Sequence, residues 1–311
     1  MKAQPNRVMY GSTLAELGEQ HQDMVVLDAD LSKSTNKFPD RFFQVGIAEQ
    51  NMVCIAAGLA TTGLLPFVNT FATFLSMRAV EQIRTSIAYP NLNVKIVGVN
   101  AGVEIAGDGV THQAIEDLAI MRAIPNMVVL SPSDPITTKK ATEALATYSG
   151  PVYMRLGRQE SQIIHSENVE FEVGKMIRVR EGNDVTIIAT GNMVEQALIA
   201  AQYLVSKGIS ARVLDCHTIK PIDQNEIIKA SKETTGIVTA EDHNIRGGLG
   251  GAVCEVVASE APTIVKMVGL DDRFASSGRD WMELLSHYGM DASSIIRKSL
   301  EVVGVNEMGQ A

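Results

Sequence analysis

The chain has 311 residues, 45% of them hydrophobic, and a formal net charge of -9 at pH 7. This length and apolar content exclude a disordered chain and predict a large core, organised as two domains. The acidic balance argues against nucleic-acid and anionic-membrane partners, because both attract clustered Lys and Arg. A small molecule or another protein is the favoured partner.

The amino terminus reads MKAQPNRVMYGS and lacks the apolar segment of a signal peptide. No window approaches the roughly 18 consecutive apolar residues of a membrane span, so we expect a cytoplasmic protein. Cys54, Cys216 and Cys254 are odd in number and far apart, which predicts buried thiols and no disulfide framework. No spacing of Cys and His predicts a metal site.

Short β-branched runs alternate with longer helical patterns, which is typical of an α/β fold with parallel sheets. A first series of strands is predicted at MVVLDA, LPFVNT, VKIVGV, MVVLSP and PVYMRL, with helices at EQNMVCIAAGLATTG and SMRAVEQIRTSIAY. The polar stretch from Gly157 to Lys175 interrupts the alternation. A second series follows at DVTIIATG, ARVLDCH, TGIVTAE and PTIVKMVG. We expect two doubly wound domains, residues 1–165 and 181–311, joined by a linker at 166–180.

Four consecutive strand ends carry acids, a histidine and aromatic rings: Asp30 after MVVLDA, Glu49 after FFQVG, Phe71 and Phe74 after LPFVNT, and Asp108 and His112 after VKIVGVN. Ligands of such sheets bind in the loops at these ends. Taken singly, each residue has a structural explanation, such as helix capping for Glu49, core packing for the phenylalanines or a turn for Asp108. Their joint placement on one side favours a ligand site.

These residues also carry a resemblance. GIAEQNMVCIAAGLATTGLLPFVNTFATF and AGDGVTHQAIEDLAIMRAIPNMVVLSPSD resemble the pyrimidine-binding domain of transketolases, and EDHNIRGGLGGAV with its flanks resembles their C-terminal domain. The family's amino-terminal domain, which holds diphosphate and a divalent metal, has no counterpart here. The chain therefore resembles the C-terminal half of a split transketolase. The resemblance implies a separate diphosphate-binding subunit as partner, an α2β2 assembly, and a homodimer contact through this chain.

The resemblance implies thiamine diphosphate as cofactor, with Mg²⁺ or Ca²⁺ held mainly by the partner subunit. Glu49 would hydrogen-bond the aminopyrimidine ring and allow the thiazolium carbon to lose its proton. For this it must exchange a proton near neutral pH, for which we expect apolar surroundings formed by Ile47 and Met52. Phe71 and Phe74 would pack on the pyrimidine, and Asp30 would lie near the thiazolium.

The family also implies a set of substrate contacts for sugar phosphates: Asp108, His112, Arg158, Arg7, Ser34 and Asn100. Among them, Asp108 would bind a hydroxyl, His112 would assist proton transfer, and Arg158 would grip a phosphate through its planar fork. Asn100 stands where many transketolases carry a second phosphate-side histidine, and Met77 follows the TFxxF motif where some relatives carry an aromatic residue. These departures leave the acceptor sugar open.

Two other functions stay possible from the residues. The chain could be the β subunit of a 2-oxo-acid dehydrogenase E1 component or a relative of deoxyxylulose-phosphate synthase, although DGVTHQAIEDLA fits transketolase better. It could also be a non-catalytic interaction subunit, which would not require Glu49 or the DGxTHQ motif. The run GGLGGA suggests a dinucleotide site, but its position after EDHNIR favours a helix start. His165 and His217 belong to no motif and are interpreted as surface or structural residues.

Overall fold

A computed structural model describes residues 2–31 and 40–305 of the chain. The strands in chain order are β1 (Gln4–Pro5), β2 (Met24–Asp28), β3 (Phe42–Gln44), β4 (Leu65–Phe71), β5 (Lys95–Val99), β6 (Val128–Leu130), β7 (Val152–Leu156), β8 (Glu160–Ser161), β9 (Ile177–Arg180), β10 (Val185–Ala189), β11 (Ala211–Asp215), β12 (Thr218–Lys220), β13 (Gly236–Asn244) and β14 (Ile264–Leu270). All nine predicted strands are confirmed. Eight of them are buried on both faces, as parallel strands between helices require, whereas β14 lies at a sheet edge and is partly exposed.

The helices are α1 (Asn6–Gln20), α2 (Glu49–Thr61), α3 (Val80–Gln82), α4 (Asp117–Ala123), α5 (Pro135–Thr147), α6 (Met193–Val205), α7 (Gln224–Glu233), α8 (Leu249–Glu260), α9 (Trp281–His287) and α10 (Ala292–Val303). The stretch SMRAVEQIRTSIAY is not one regular helix. Wider π-helical turns at Phe74–Arg78 and Ile83–Ala88 enclose the three-residue α3, an irregularity that is frequent at functional sites.

Two large sheets organise the chain. The first has the order β12-β6-β7-β5-β4-β2-β3, and the second has the order β14-β13-β10-β11-β9. Their inner strands pair in parallel, while β12 and β9 pair antiparallel at the edges. This arrangement confirms the expected fold class of two doubly wound α/β domains.

The two sheets are joined by strand pairing and by a shared apolar cluster. Strand β12 comes from the second half of the chain but lies at the edge of the first sheet, paired with β6. One buried apolar cluster also contains residues of both halves, including Leu118, Met121, Leu249 and Val253. Full burial of one such side chain stabilises a fold by about 1.5–3 kcal/mol. Packing therefore holds the halves together.

Glycine-rich GGLGGA begins helix α8, as expected. The buried carboxylate of Glu241 accepts hydrogen bonds from the backbone N–H groups of Leu249 (2.7 Å) and Gly250 (2.8 Å), which satisfies donors that a helix start leaves free. A Cβ on Gly248 would lie 2.0 Å from that carboxylate. Across the described ranges, no helix is long and apolar enough to span a membrane.

Candidate functional site

Glu49 lies at the start of helix α2, beyond the carboxyl end of strand β3. Its side chain is only 2% exposed, and the residue before it, Ala48, provides no side-chain cap. A carboxylate in the first turn is stabilised by the positive end of the helix. The position at the helix start therefore explains how the fold accommodates a buried carboxylate. What Glu49 can do chemically depends on the side chains that it faces.

Glu49 faces Arg78. One guanidinium nitrogen of Arg78 lies 2.9 Å from each carboxylate oxygen. The same guanidinium lies over the ring of Phe74, 4.5 Å from its centroid, as cation–π contacts do. Arg78 is 48% exposed, so this partner lies at the surface while the acid does not. Arg78 was missed in the sequence, although it stands only four residues after Phe74.

Three rings form a wall beside this ion pair. Phe71 and Phe74 have centroids 5.5 Å apart, and His112 lies 5.2 Å from Phe71 and 5.3 Å from Phe74, all in edge-to-face arrangements. His112 also contacts the Thr111 hydroxyl through Nδ1 at 2.9 Å. We call Glu49, Phe71, Phe74, Arg78 and His112 the open edge. The structure thus brings together four of the residues predicted from separate motifs.

A second group of predicted residues lies along the neighbouring strand ends. Arg158 pairs with Asp108 at 2.7 Å, and both side chains are more than a third exposed. Arg7 donates to the Asn100 side-chain oxygen at 3.3 Å. Partial burial, and then the positive charge of Arg158, lower the pKa of Arg7. Two guanidinium groups close enough to repel each other are suited to an anion.

A buried acid, Glu104, lies behind these arginines and was not singled out in the sequence. Its carboxylate accepts from the backbone N–H of Arg158 and from Asn192 Nδ2, the latter at 2.9 Å. Burial, and then the charge of Asp242, raise the pKa of Glu104 to about 8. Its partners are 54 and 88 residues away in the chain, so no local pattern could have identified it.

Two further predicted residues, Asp30 and Ser34, belong to neither of the groups that the structure describes. Asp30 is exposed after β2, adopts a positive φ of 64°, and donates its backbone N–H to the Gln44 side chain at 2.9 Å. Ser34 lies outside the described residues. The expected apolar surroundings of Glu49 are only half correct, because Met52 is buried while Ile47 is 72% exposed. The contact that the expectation lacked is Arg78.

The thiols also differ from expectation. Cys54 is exposed and Cys254 is intermediate, so only Cys216 is a buried thiol; Cys54 lies on an outward face of α2. Within segment 157–175, β8 pairs with β1, and Phe171 stacks on His217 with ring centroids 4.1 Å apart. The domain limits 1–165 and 181–311 stay a prediction.

Between the two sheets lies a group that we call the seam, formed by Asp134, His165, Asp215 and His217. His165 Nδ1 is 3.3 Å from Asp134 and its Nε2 is 3.4 Å from Asp215. Hydrogen bonds, above all from His165, lower the pKa of Asp134 to about 2 despite burial. Burial raises the pKa of Asp215 to about 7 and lowers that of His217 to about 3. Both histidines are buried and contact other buried side chains, which agrees with a structural role and not with a surface position.

No cluster of three or more His, Cys, Asp or Glu that could hold a metal ion occurs in residues 2–31 and 40–305. The open edge instead offers a buried carboxylate, flat rings and a histidine. Arg158 lies in the loop after strand β7, and Arg7 lies in the first turn of helix α1.

Comparison with known proteins agrees with this geometry. Residues 2–162 match the family model for the transketolase pyrimidine-binding domain, and residues 174–295 match that for the transketolase C-terminal domain. A Methanocaldococcus jannaschii protein described as a transketolase C-terminal section is 50% identical over 301 residues, covering 94% of each chain.

Two further matches are a transketolase subunit and a split gene transketolase. A 6-deoxy-6-sulfo-D-fructose transketolase subunit from a Clostridium species is 41% identical over 303 residues, covering 95% of this chain and 94% of the relative. A solved structure described as a split gene transketolase, inactive beta4 tetramer, has a TM-score of 0.90 and 44% identity, with 98% of this chain and 99% of that one covered.

Proposed function

The chain belongs to the transketolase family, in which it corresponds to the C-terminal section, and we propose that it is the catalytic C-terminal subunit of a split transketolase. The proposed reaction moves a two-carbon ketol unit between sugars. The observation that carries this proposal is the buried carboxylate of Glu49 at the open edge, beside the rings of Phe71 and Phe74.

The open edge fits the aminopyrimidine of thiamine diphosphate. The Arg78 guanidinium is a flat N–H donor group that bonds Glu49 while lying over Phe74. An aminopyrimidine ring would need the same two contacts, a hydrogen bond to the carboxylate and a ring beside its face. Arg78 is half-exposed, so it can turn outward into water and release Glu49. Asp30 is proposed to lie near the thiazolium.

Thiamine diphosphate supplies a carbon that can carry negative charge between the two sugars. The chain's own residues orient it and handle protons. Glu49 would hold and release a proton at the pyrimidine ring, and His112, at the rim of the ring wall, would exchange a proton with a sugar hydroxyl. Asp108 would accept a hydrogen bond from a second hydroxyl.

The substrate is proposed to be a sugar with a terminal anion, phosphate or sulfonate. Arg158 and Arg7 would bind this group, with Asn100 orienting Arg7 at 3.3 Å. Ser34, outside the described residues, is kept as a proposed further contact. The name of the Clostridium relative specifies a sulfonated sugar, which agrees with an anion at this end of the substrate.

A separate diphosphate-binding subunit is proposed as partner, in an α2β2 assembly that also holds Mg²⁺ or Ca²⁺. Large apolar side chains are exposed within three positions of site residues, namely Ile47, Met77 and Val110. Apolar side chains exposed in one patch are typical of surfaces that bind another protein, and we infer that the partner covers this edge. The related tetramer made of one subunit type is described as inactive, which supports the need for a second one.

The test is reconstitution. The purified chain is assayed for ketol transfer with thiamine diphosphate and Mg²⁺, alone and mixed with the diphosphate-binding subunit of the same source. We expect turnover only in the mixture. Strong turnover by the chain alone would refute the split assembly, and no turnover from a complex shown to form would refute the catalytic assignment. Met77→Glu should prevent assembly, whereas Tyr203→Glu, an equally exposed position on helix α6, should not.

A further inference from the structure

Glu104 is a carboxyl group buried in the protein interior, and its burial needs an explanation. It lies in the short 3₁₀ turn Val103–Asp108 that follows strand β5, and its side chain is 3% exposed. Burial of a carboxyl group is costly unless its oxygens have hydrogen-bond donors. The identity of those donors indicates what the residue holds in place.

One side of Glu104 holds the Arg158 loop. Oε1 accepts the backbone N–H of Arg158, and the main-chain oxygen of Glu104 accepts Gln159 Nε2 at 2.8 Å. This approach requires the glycine before Arg158, since a Cβ on Gly157 would lie 1.7 Å from Oε1. The loop that carries Arg158 is therefore shaped around the Glu104 carboxyl.

The other side of Glu104 is held by the C-terminal domain. Oε2 accepts Asn192 Nδ2 at 2.9 Å, and that nitrogen also lies 3.5 Å from Asp242. Asp242 in turn accepts the backbone N–H of Val103 at 2.9 Å. A continuous chain of hydrogen bonds therefore runs from the start of helix α6, through Glu104, to the backbone of Arg158.

The charged groups around Glu104 come from four elements. Asp242 of β13 and Arg155 of β7 influence its pKa, as does the hydrogen bond from Arg158 in the loop after β7. Arg7 of α1 is close enough to be affected by Glu104 when the carboxyl group is ionised. Burial is the largest cause of the raised pKa, about 8. At neutral pH the group is thus mostly protonated, and it does not cancel the positive field of the two arginines.

We propose that Glu104 is a positioning residue that fixes Arg158 for the anionic end of the substrate, with Asn192 anchoring it to the C-terminal domain. This inference rests on the proposed function, because it assumes that Arg158 binds a sugar anion. Neither Glu104 nor Asn192 touches the substrate. Their effect should therefore appear in the affinity for charged sugars and not in the chemical step.

The experiment compares two acceptors, ribose 5-phosphate and glycolaldehyde, in the assembled enzyme. Glu104→Ala removes the acceptor of the Arg158 backbone and should raise the KM for ribose 5-phosphate about tenfold, the size of one lost hydrogen bond. The kcat and the KM for glycolaldehyde should stay within about twofold. Asn192→Ala should act in the same direction by about threefold.

A pH profile adds a second readout. As Glu104 ionises between about pH 7 and about pH 9, its negative charge opposes an anion at Arg158, so the wild-type KM for ribose 5-phosphate should rise. Glu104→Gln stays neutral, should match the wild type near pH 7, and should lose this rise. Glycolaldehyde provides the internal control, because it carries no charge.

Arg158→Ala, measured in parallel, separates the inference from the function it rests on. If Arg158→Ala weakens only the phosphorylated acceptor but Glu104→Ala weakens both acceptors equally or neither, the inference is wrong and the proposed anion site stands. If Arg158→Ala has no phosphate-specific effect, the anion site itself is wrong, and the inference falls with it. If Glu104→Ala does not fold, the Glu104→Gln variant decides. The inference is overturned if its KM for ribose 5-phosphate rises with pH as much as that of the wild type.

Discussion

The open edge and the seam use the same kinds of side chain but enclose them differently. At the open edge, buried Glu49 pairs with an arginine that is half-exposed. At the seam, Asp134 and Asp215 are fully buried and His165 lies between them. At the open edge, the exposed Arg78 leaves room for another group to take its place on Glu49. At the seam, burial of every partner leaves no such room. Acids and histidines in the sequence therefore indicate a reactive site only where one partner remains replaceable.

The largest expected effect is at the open edge. Glu49→Gln should lower ketol transfer in the assembled enzyme by about a hundredfold or more, roughly 3 kcal/mol in barrier, because an amide cannot exchange the proton. Thermal unfolding and assembly should be nearly unchanged. Glu255→Gln is the matched control, since it also breaks an Arg–Glu pair, Arg122 to Glu255 at 2.6 Å, on an exposed surface. Near-full turnover in Glu49→Gln would make Glu49 a helix cap only.

Substitutions at the seam should lower the free energy of unfolding. Asp134 caps helix α5 and also accepts the backbone N–H groups of Ile164 and His165, each at 2.9 Å. Asp134→Ala leaves these donors buried without a partner and should cost about 2–3 kcal/mol of unfolding free energy. Asp280→Ala removes an exposed cap of α9 and should cost about 1 kcal/mol. Denaturant unfolding compares them, and equal losses would contradict the role of the seam.

A smaller effect is expected from His217. Burial lowers its folded-state pKa to about 3, while the unfolded chain binds this proton below about pH 6.5. The unfolded state thus binds this proton at higher pH than the folded state, and the contribution of His217 to stability falls by about 1–2 kcal/mol between pH 7 and about pH 5. The raised pKa of Asp215 acts in the opposite direction over the same range, so the comparison of variants isolates the His217 part. His217→Phe retains a ring to stack on Phe171 and should flatten this part of the profile. Parallel profiles for both proteins would show that His217 does not contribute.

The sequence predicts those features that depend on local pattern. The β-branched runs identified every strand of the two sheet interiors, and GIAEQ placed Glu49 at a helix start. The pattern could not place Arg78 on Glu49, because that contact depends on irregular π-helical turns where a regular helix was expected. Nor could it find Glu104, whose donors come from distant parts of the chain. Contacts of this kind follow from tertiary packing, within the first domain for Arg78 and also from Asn192 of the second half for Glu104.

Strand β12 limits how the two domains can be recombined. Because the second half of the chain supplies the strand that covers β6, a first domain separated from it would expose an unpaired strand edge, which is prone to pair with other chains. A C-terminal domain exchanged from a relative must therefore bring a β12 that matches β6 in register. For engineering purposes the two domains therefore form one unit, although their sheets are separate.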